Sequence, residues 1–168
     1  MLLNLAVDNR LPYGWVQVTG HPPAEVSRLA RLLTSGHNAA VVYVGAPDLR
    51  AGLRDYSVSC SGPVVFDTIR ELVRRGFNAI VVDHFDAIHE ANPRTDAHRA
   101  YWIGQQVRRL RAVLKTATVI AVCRSARAGG KTFQRHIGLR LNIVPNHKGL
   151  VVTAGGRAAR VGAPAVVI

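Results

Sequence analysis

Residues 79–82, AIVV, are four consecutive apolar positions that run into Asp83. An unbroken apolar run bounded by polar residues predicts a strand buried on both faces. AAVVYV at 39–44 and TVIAVC at 118–123 read the same way. WVQVT at 15–19 alternates apolar and polar as a strand does, and YSVSC at 56–60 reads as a shorter strand. Between these runs the apolar period lengthens to that of a helix. Val26, Leu29 and Leu33 share one face of a helix opening after GHPP, which Ser35-Gly36-His37-Asn38 stops. Phe66, Ile69, Leu72 and Val73 share another, opened by Ser61-Gly62-Pro63, running through Arg75 and ended by Gly76. Over 98–115, Ile103, Val107, Leu110 and Leu114 form an apolar stripe, with Arg108, Arg111 and Lys115 on a second stripe. Short helices are predicted at 1–9 and about 131–136, a short helix or turn at 47–54, and a polar loop at 87–97. LRLNIV at 139–144 pairs as a hairpin with LVVT at 150–153, and AVVI at 165–168 reads as a closing strand. Strands that alternate with helices and then run together predict an α/β fold. Its central sheet is mostly parallel, flanked by helices, with a C-terminal antiparallel hairpin.

The 168 residues suffice for one domain, 1–168, with a real core, and 48% of them are hydrophobic. No apolar run approaches the ~20 residues of a membrane span. The start, MLLNLAVDNR, lacks the basic lead and long apolar run of a secretory signal, so a cytoplasmic protein with no membrane partner is expected. Cys60 and Cys123 each close an apolar run and read as buried free thiols rather than a disulfide. The seven His and two Cys show no metal-ligand spacing, and no metal is expected.

Charge changes the picture more. The chain has 22 Lys and Arg against 10 Asp and Glu, a net charge of +12. Residues 1–96 hold 9 of the cations and all 10 acids; residues 97–168 hold 13 cations and no acid. A codon bias would favour Arg over Lys, but it would not clear one half of acids. An acid-free, Arg-rich half points to a polyanion, nucleic acid first.

Two stretches invite a nucleotide. An acid closing a buried strand, as Asp83 does, stands where open α/β sheets hold ligands and where P-loop ATPases hold Mg²⁺. The other reading of Asp83 is a core strand's acid capping a turn. A phosphate-binding loop, G-x-x-x-x-G-K-[ST], belongs after the first strand. Gly20 starts that pattern and Ser27 ends it, but Glu25 stands at the second glycine and Val26 at the lysine. Pro22 and Pro23 remove two amide donors. The site over Gly20, Ser27 and Asp83 is therefore expected to be vestigial. ARAGGKT at 126–132 is one residue too short for such a loop. It is expected to serve as an anion site, with two glycines, a helix amino end, and Arg124, Arg127, Lys131 and Arg135 around it. Tyr101 and Trp102, beside Arg99, are candidates to stack on bases.

In this order the parts resemble the RecA recombinase family over nearly the whole chain. LPYGWVQVTG resembles the approach to that family's phosphate loop, and LVRRGFNAIVVDHFDAI its Mg²⁺-binding strand. VRRLRAVLKTATVIAVC resembles the following helix and strand. GGKTFQRHIGLRLNIV and VGAPAVVI resemble the segment after the second DNA-binding loop and the closing core strand. The resemblance implies a RecA-like core with DNA along 89–99 and 124–135, contacted by Arg94, Arg99, Arg124, Arg127, Lys131 and Arg135. Its departures are as informative. The family's catalytic Glu falls at Ala46, with Asp48 two residues on. Its γ-phosphate-sensing Gln falls at Arg124, and its two lysines near Ala154–Gly156 have no counterpart. ATP and Mg²⁺ are disfavoured as cofactors, and no enzymatic activity is expected. Three functions stay open: an accessory or regulator of DNA recombination or repair that binds single-stranded DNA and docks on a recombinase or DNA polymerase; a protein-interaction module of the SulA or ImuA kind in the DNA-damage response; and an active ATP-dependent recombinase.

Overall fold

The computed structural model describes residues 11–45, 54–89, 95–146, 149–156 and 166–167. The helix expected at 1–9, the turn at 47–54 and most of the closing strand lie outside these residues, as do Ala46, Asp48 and Arg94.

All the described strands join one eight-stranded sheet. Its order is β3 (Asp55–Val58), β2 (Ala39–Val44), β4 (Ala79–Asp83), β5 (Thr118–Val122), β1 (Gly14–Gly20), β6 (Ile137–Asn146), β7 (Gly149–Gly155), β8 (Val166–Val167). The pairings from β3 to β6 are parallel, and β6–β7 and β7–β8 are antiparallel. β4 and β5 are buried at every position, as continuous apolar runs predict.

The layers are unequal. α1 (Pro23–Leu33) covers one face, burying Val26, Leu29, Ala30 and Leu33 against Val16, Val18, Ile120 and Leu141. The other face takes α2 (Gly62–Arg74), α3 (Asp96–Leu110) and α4 (Gly130–His136). Trp15 lies at its centre, edge-on to Phe66, Phe85 and Phe133. α3 starts at Thr95, whose hydroxyl accepts from the His98 amide at 3.1 Å, a side-chain cap.

Several boundaries, and the burial of one cysteine, differ from the sequence pattern. The helix expected through 115 ends at Leu110. A 3₁₀ turn, Val113–Lys115, follows, with Leu114 out of helical geometry yet buried in the core. Periodicity cannot register that break, because the apolar stripe continues across it. β6 begins two residues early and runs through Pro145, next to the hairpin turn. Cys123 is buried as expected, whereas Cys60 is only half-buried; both are free thiols.

Candidate functional site

The carboxyl ends of β1, β2, β4 and β5 open on a cavity of about 330 Å³. Gly20, Ser27 and Asp83, the three residues of the expected vestigial site, all line it, with Asp86 and Arg124 beside them. Asp83 is buried at 6% exposure. Its Oδ1 accepts the Ser27 hydroxyl at 3.1 Å and the His84 amide at 3.0 Å. His84 makes the second bond possible by adopting the left-handed region (φ 59°, ψ 43°), uncommon for a residue with a side chain.

The turn before Ser27 is built differently from a phosphate cradle. β1 continues to Gly20 and α1 begins at Pro23, so only His21 and Pro22 lie between them. The His21 amide donates to Ile143 O, and the Glu25 and Val26 amides donate to Pro22 O. Pro22 and Pro23 have no amide to donate. Val26 is 2% exposed and packs in the core, so the lysine position is absorbed by a buried side chain. Glu25, at the second glycine's position, is not in the cavity wall and pairs with Arg28 at 3.5 Å. Gly20 answers to its neighbour strand: a Cβ there would lie 2.1 Å from Ile143 O. Ser27 and Asp83 retain the side chains that together hold Mg²⁺ in P-loop proteins. The residues around them do not fit a triphosphate: the lysine is gone and the turn's amides are occupied within the chain.

The basic loop follows β5. The Arg124 amide donates to Asp86 Oδ2, Gln17 Nε2 donates to Ala126 O at 3.4 Å, and Gln134 Nε2 donates to Ala128 O at 2.8 Å. Gln17, 1% exposed in the central strand, had gone unmarked in the sequence, where it looked like the polar half of an alternation. This pinned backbone presents Arg124, Arg127 and Lys131 at exposed positions. Among the described residues none of the three side chains pairs with a carboxylate, and the described ion pairs all involve residues before 97.

The remaining expected DNA contacts separate from this group. Arg99 Nε donates to Ile88 O at 2.6 Å and its Nη2 donates to Asp86 O, so its guanidinium ties the loop after β4 to α3. Arg135 leaves the group as well, because α4 runs back along the sheet and ends beside the start of β1. The two glycines of 126–132 have a packing role. A Cβ on Gly130 would meet Ala100 Cβ at 2.6 Å and one on Gly129 would meet the Phe133 ring at 2.5 Å. The Gly130 amide donates to Arg127 O. Trp102 packs edge-on against Phe66 and over Gly62, whereas Tyr101 is 65% exposed. Among the described residues, no group of three His, Cys, Asp or Glu side chains could hold a metal ion.

No family model matches the chain, and no curated protein matches it. Its architecture matches the solved structure of a DnaB-like replicative helicase, described with its interactions with primase, at a TM-score of 0.61 and 11% identity. The fold is RecA-like. The match covers 92% of this chain and 55% of the helicase, so the chain spans about half of that protein's length. At this identity the likeness concerns the fold alone. No helix among the described residues is long and apolar enough to cross a membrane.

Proposed function

We propose that this chain is a RecA-like DNA-binding protein, akin to the RecA recombinases, that acts as an accessory or regulator in recombination or repair without hydrolysing ATP. The observation that carries this reading is the loop after β5. Arg124, Arg127 and Lys131 are exposed, their side chains have no carboxylate partner among the described residues, and they stand on a backbone held by Gln17, Gln134 and Asp86. Cations on a pre-ordered loop lose little further freedom on meeting a phosphate backbone. The acid-free half of the chain extends the same field. Single-stranded DNA is the preferred ligand, and a recombinase or polymerase the partner on which the complex acts. Loss of ATP chemistry is supported by the amides of His21, Glu25 and Val26, which are bonded within the chain, by the two prolines and by buried Val26.

Fluorescence anisotropy with a labelled oligothymidylate, titrated against salt, tests the reading. Three phosphate contacts on a single strand give a log–log slope of about −2. The R124E/R127E/K131E variant should lose binding while keeping its fold. Absence of binding at low salt overturns the proposal and favours the protein-interaction reading.

A further inference from the structure

A second cavity, of about 390 Å³, lies at the opposite end of the sheet, where β1 and β6 begin and α3 and α4 end. Its wall includes Tyr13, Trp15, Arg111, Leu114, Arg135 and His136. The seven residues of β1 separate it from the carboxyl-end cavity by about 20 Å. Its size lies in the range of pockets that take small ligands, about 300–1,000 Å³.

The charged groups of this wall are two arginines. Arg111 and Arg135 are exposed and pair with no carboxylate among the described residues. Guanidinium groups only donate. Trp15 is 3% exposed and adds apolar wall, its indole packing edge-on to Phe66, Phe85 and Phe133. His136 Nδ1 donates to Thr132 O at 2.8 Å, which makes Nε2 an acceptor in the neutral ring. Tyr13, 68% exposed, adds an open aromatic face at the rim. Two guanidinium groups without carboxylate partners call for an anionic ligand, and an aromatic face beside them calls for a flat ring.

Cations near helix carboxyl ends are expected from the helix dipole alone, and Arg135 and His136 occupy the last turn of α4. The dipole does not account for an open tyrosine on the rim of the same cavity. The geometry points to a second nucleic-acid site here: one nucleotide unit of a strand, its base stacked on Tyr13 and its phosphate held between Arg111 and Arg135. The choice of ligand rests on the DNA-binding reading, but the site is separate from the loop after β5. A strand bound at both sites would run along the side of the sheet, with α3 and α4 between.

Equilibrium dialysis with thymidine monophosphate tests the site, with thymidine and inorganic phosphate as partial ligands. The monophosphate should bind more tightly than either part. R111Q/R135Q should weaken it by about tenfold or more, the worth of one charge-assisted hydrogen bond, whereas R124Q/R127Q should leave it unchanged. Circular dichroism confirms that each variant is folded, and Tyr13→Ala, at an exposed position, gives a second variant with little risk to folding. It should lower affinity for the monophosphate and not for phosphate. Binding lost in R124Q/R127Q but kept in R111Q/R135Q would move the ligand to the other end and overturn the inference. So would failure of the monophosphate to bind the wild type at millimolar concentration. Either result leaves the oligothymidylate test of the loop after β5 standing on its own.

Discussion

Ser27 and Asp83, 56 residues apart in the chain, meet through a 3.1 Å hydrogen bond across the mouth of the cavity at the carboxyl ends of the strands. In a P-loop protein these two positions share a metal ion. Here they bond each other directly. The bond is an interior tie between α1 and β4.

This tie predicts an order of variant stabilities in urea. Ser27→Ala removes one hydrogen bond and should cost about 1 kcal/mol. Asp83→Ala strands both the Ser27 hydroxyl and the His84 amide, and should cost about 2–3 kcal/mol. Asp83→Asn keeps an oxygen that can accept both bonds and should be milder than Asp83→Ala. Equal losses for the two Asp83 variants would mean that charge, rather than the hydrogen bonds, matters at this position.

Val26→Lys restores the missing cation but not the cradle, because His21, Glu25 and Val26 keep their amides bonded within the chain and Pro22 and Pro23 have none. Calorimetry with Mg-ATP should therefore give no binding heat for the wild type or for V26K. Micromolar binding by either would contradict this reading of the turn.

Arg99 is expected to act in stability rather than in DNA contact. Arg99→Ala removes two charge-assisted hydrogen bonds to the carbonyls of Ile88 and Asp86 and should cost about 2 kcal/mol. Arg99→Lys should recover only part of this, since one ammonium cannot reproduce the planar fork. Affinity of folded R99A for oligothymidylate should match the wild type. A loss as large as that of R124E/R127E/K131E would put Arg99 on the DNA.

Cys123 should shape the alkaline limb of stability. Burial, aided by the Asp86 carboxylate and opposed by a hydrogen bond with Gln17, pushes its thiol far above the ordinary range. The unfolded chain ionises the thiol near pH 8.5 or so, while the folded chain keeps it protonated. Above that pH the unfolded state binds fewer protons, so stability falls as pH rises, by about 1.4 kcal/mol per unit from this group. Cys123→Ala should flatten the urea midpoint against pH between about 8.5 and 10.5. Parallel curves for variant and wild type would exclude the thiol as the cause.

Much of the architecture was legible without coordinates, because strands and helices announce themselves through neighbours in the chain. The apolar runs at 39–44, 79–82 and 118–122 are buried strands, and the stripes Val26-Leu29-Leu33 and Phe66-Ile69-Leu72 are the inward faces of helices. Gly20, Ser27 and Asp83 line one cavity, as the order of motifs implied. The alternation of strand and helix sufficed for a mostly parallel sheet, since parallel neighbours need crossovers.

Partners were another matter, because which groups meet depends on packing between segments far apart in sequence. Composition made Arg99, Arg124 and Arg135 equivalent cations. In the folded chain Arg99 is bonded to two carbonyls, Arg124 rims one cavity and Arg135 lines another at the far end of β1. Gly129 and Gly130 looked made for a phosphate, and the structure shows a packing reason for them as well, since Phe133 and Ala100 close over the side where a Cβ would stand. The sequence by itself determined the elements, the sheet and the excess of positive charge. Only the tertiary structure decided where each charge points, because helix direction and close packing, rather than residue type, set the distance between a cation and its nearest acceptor.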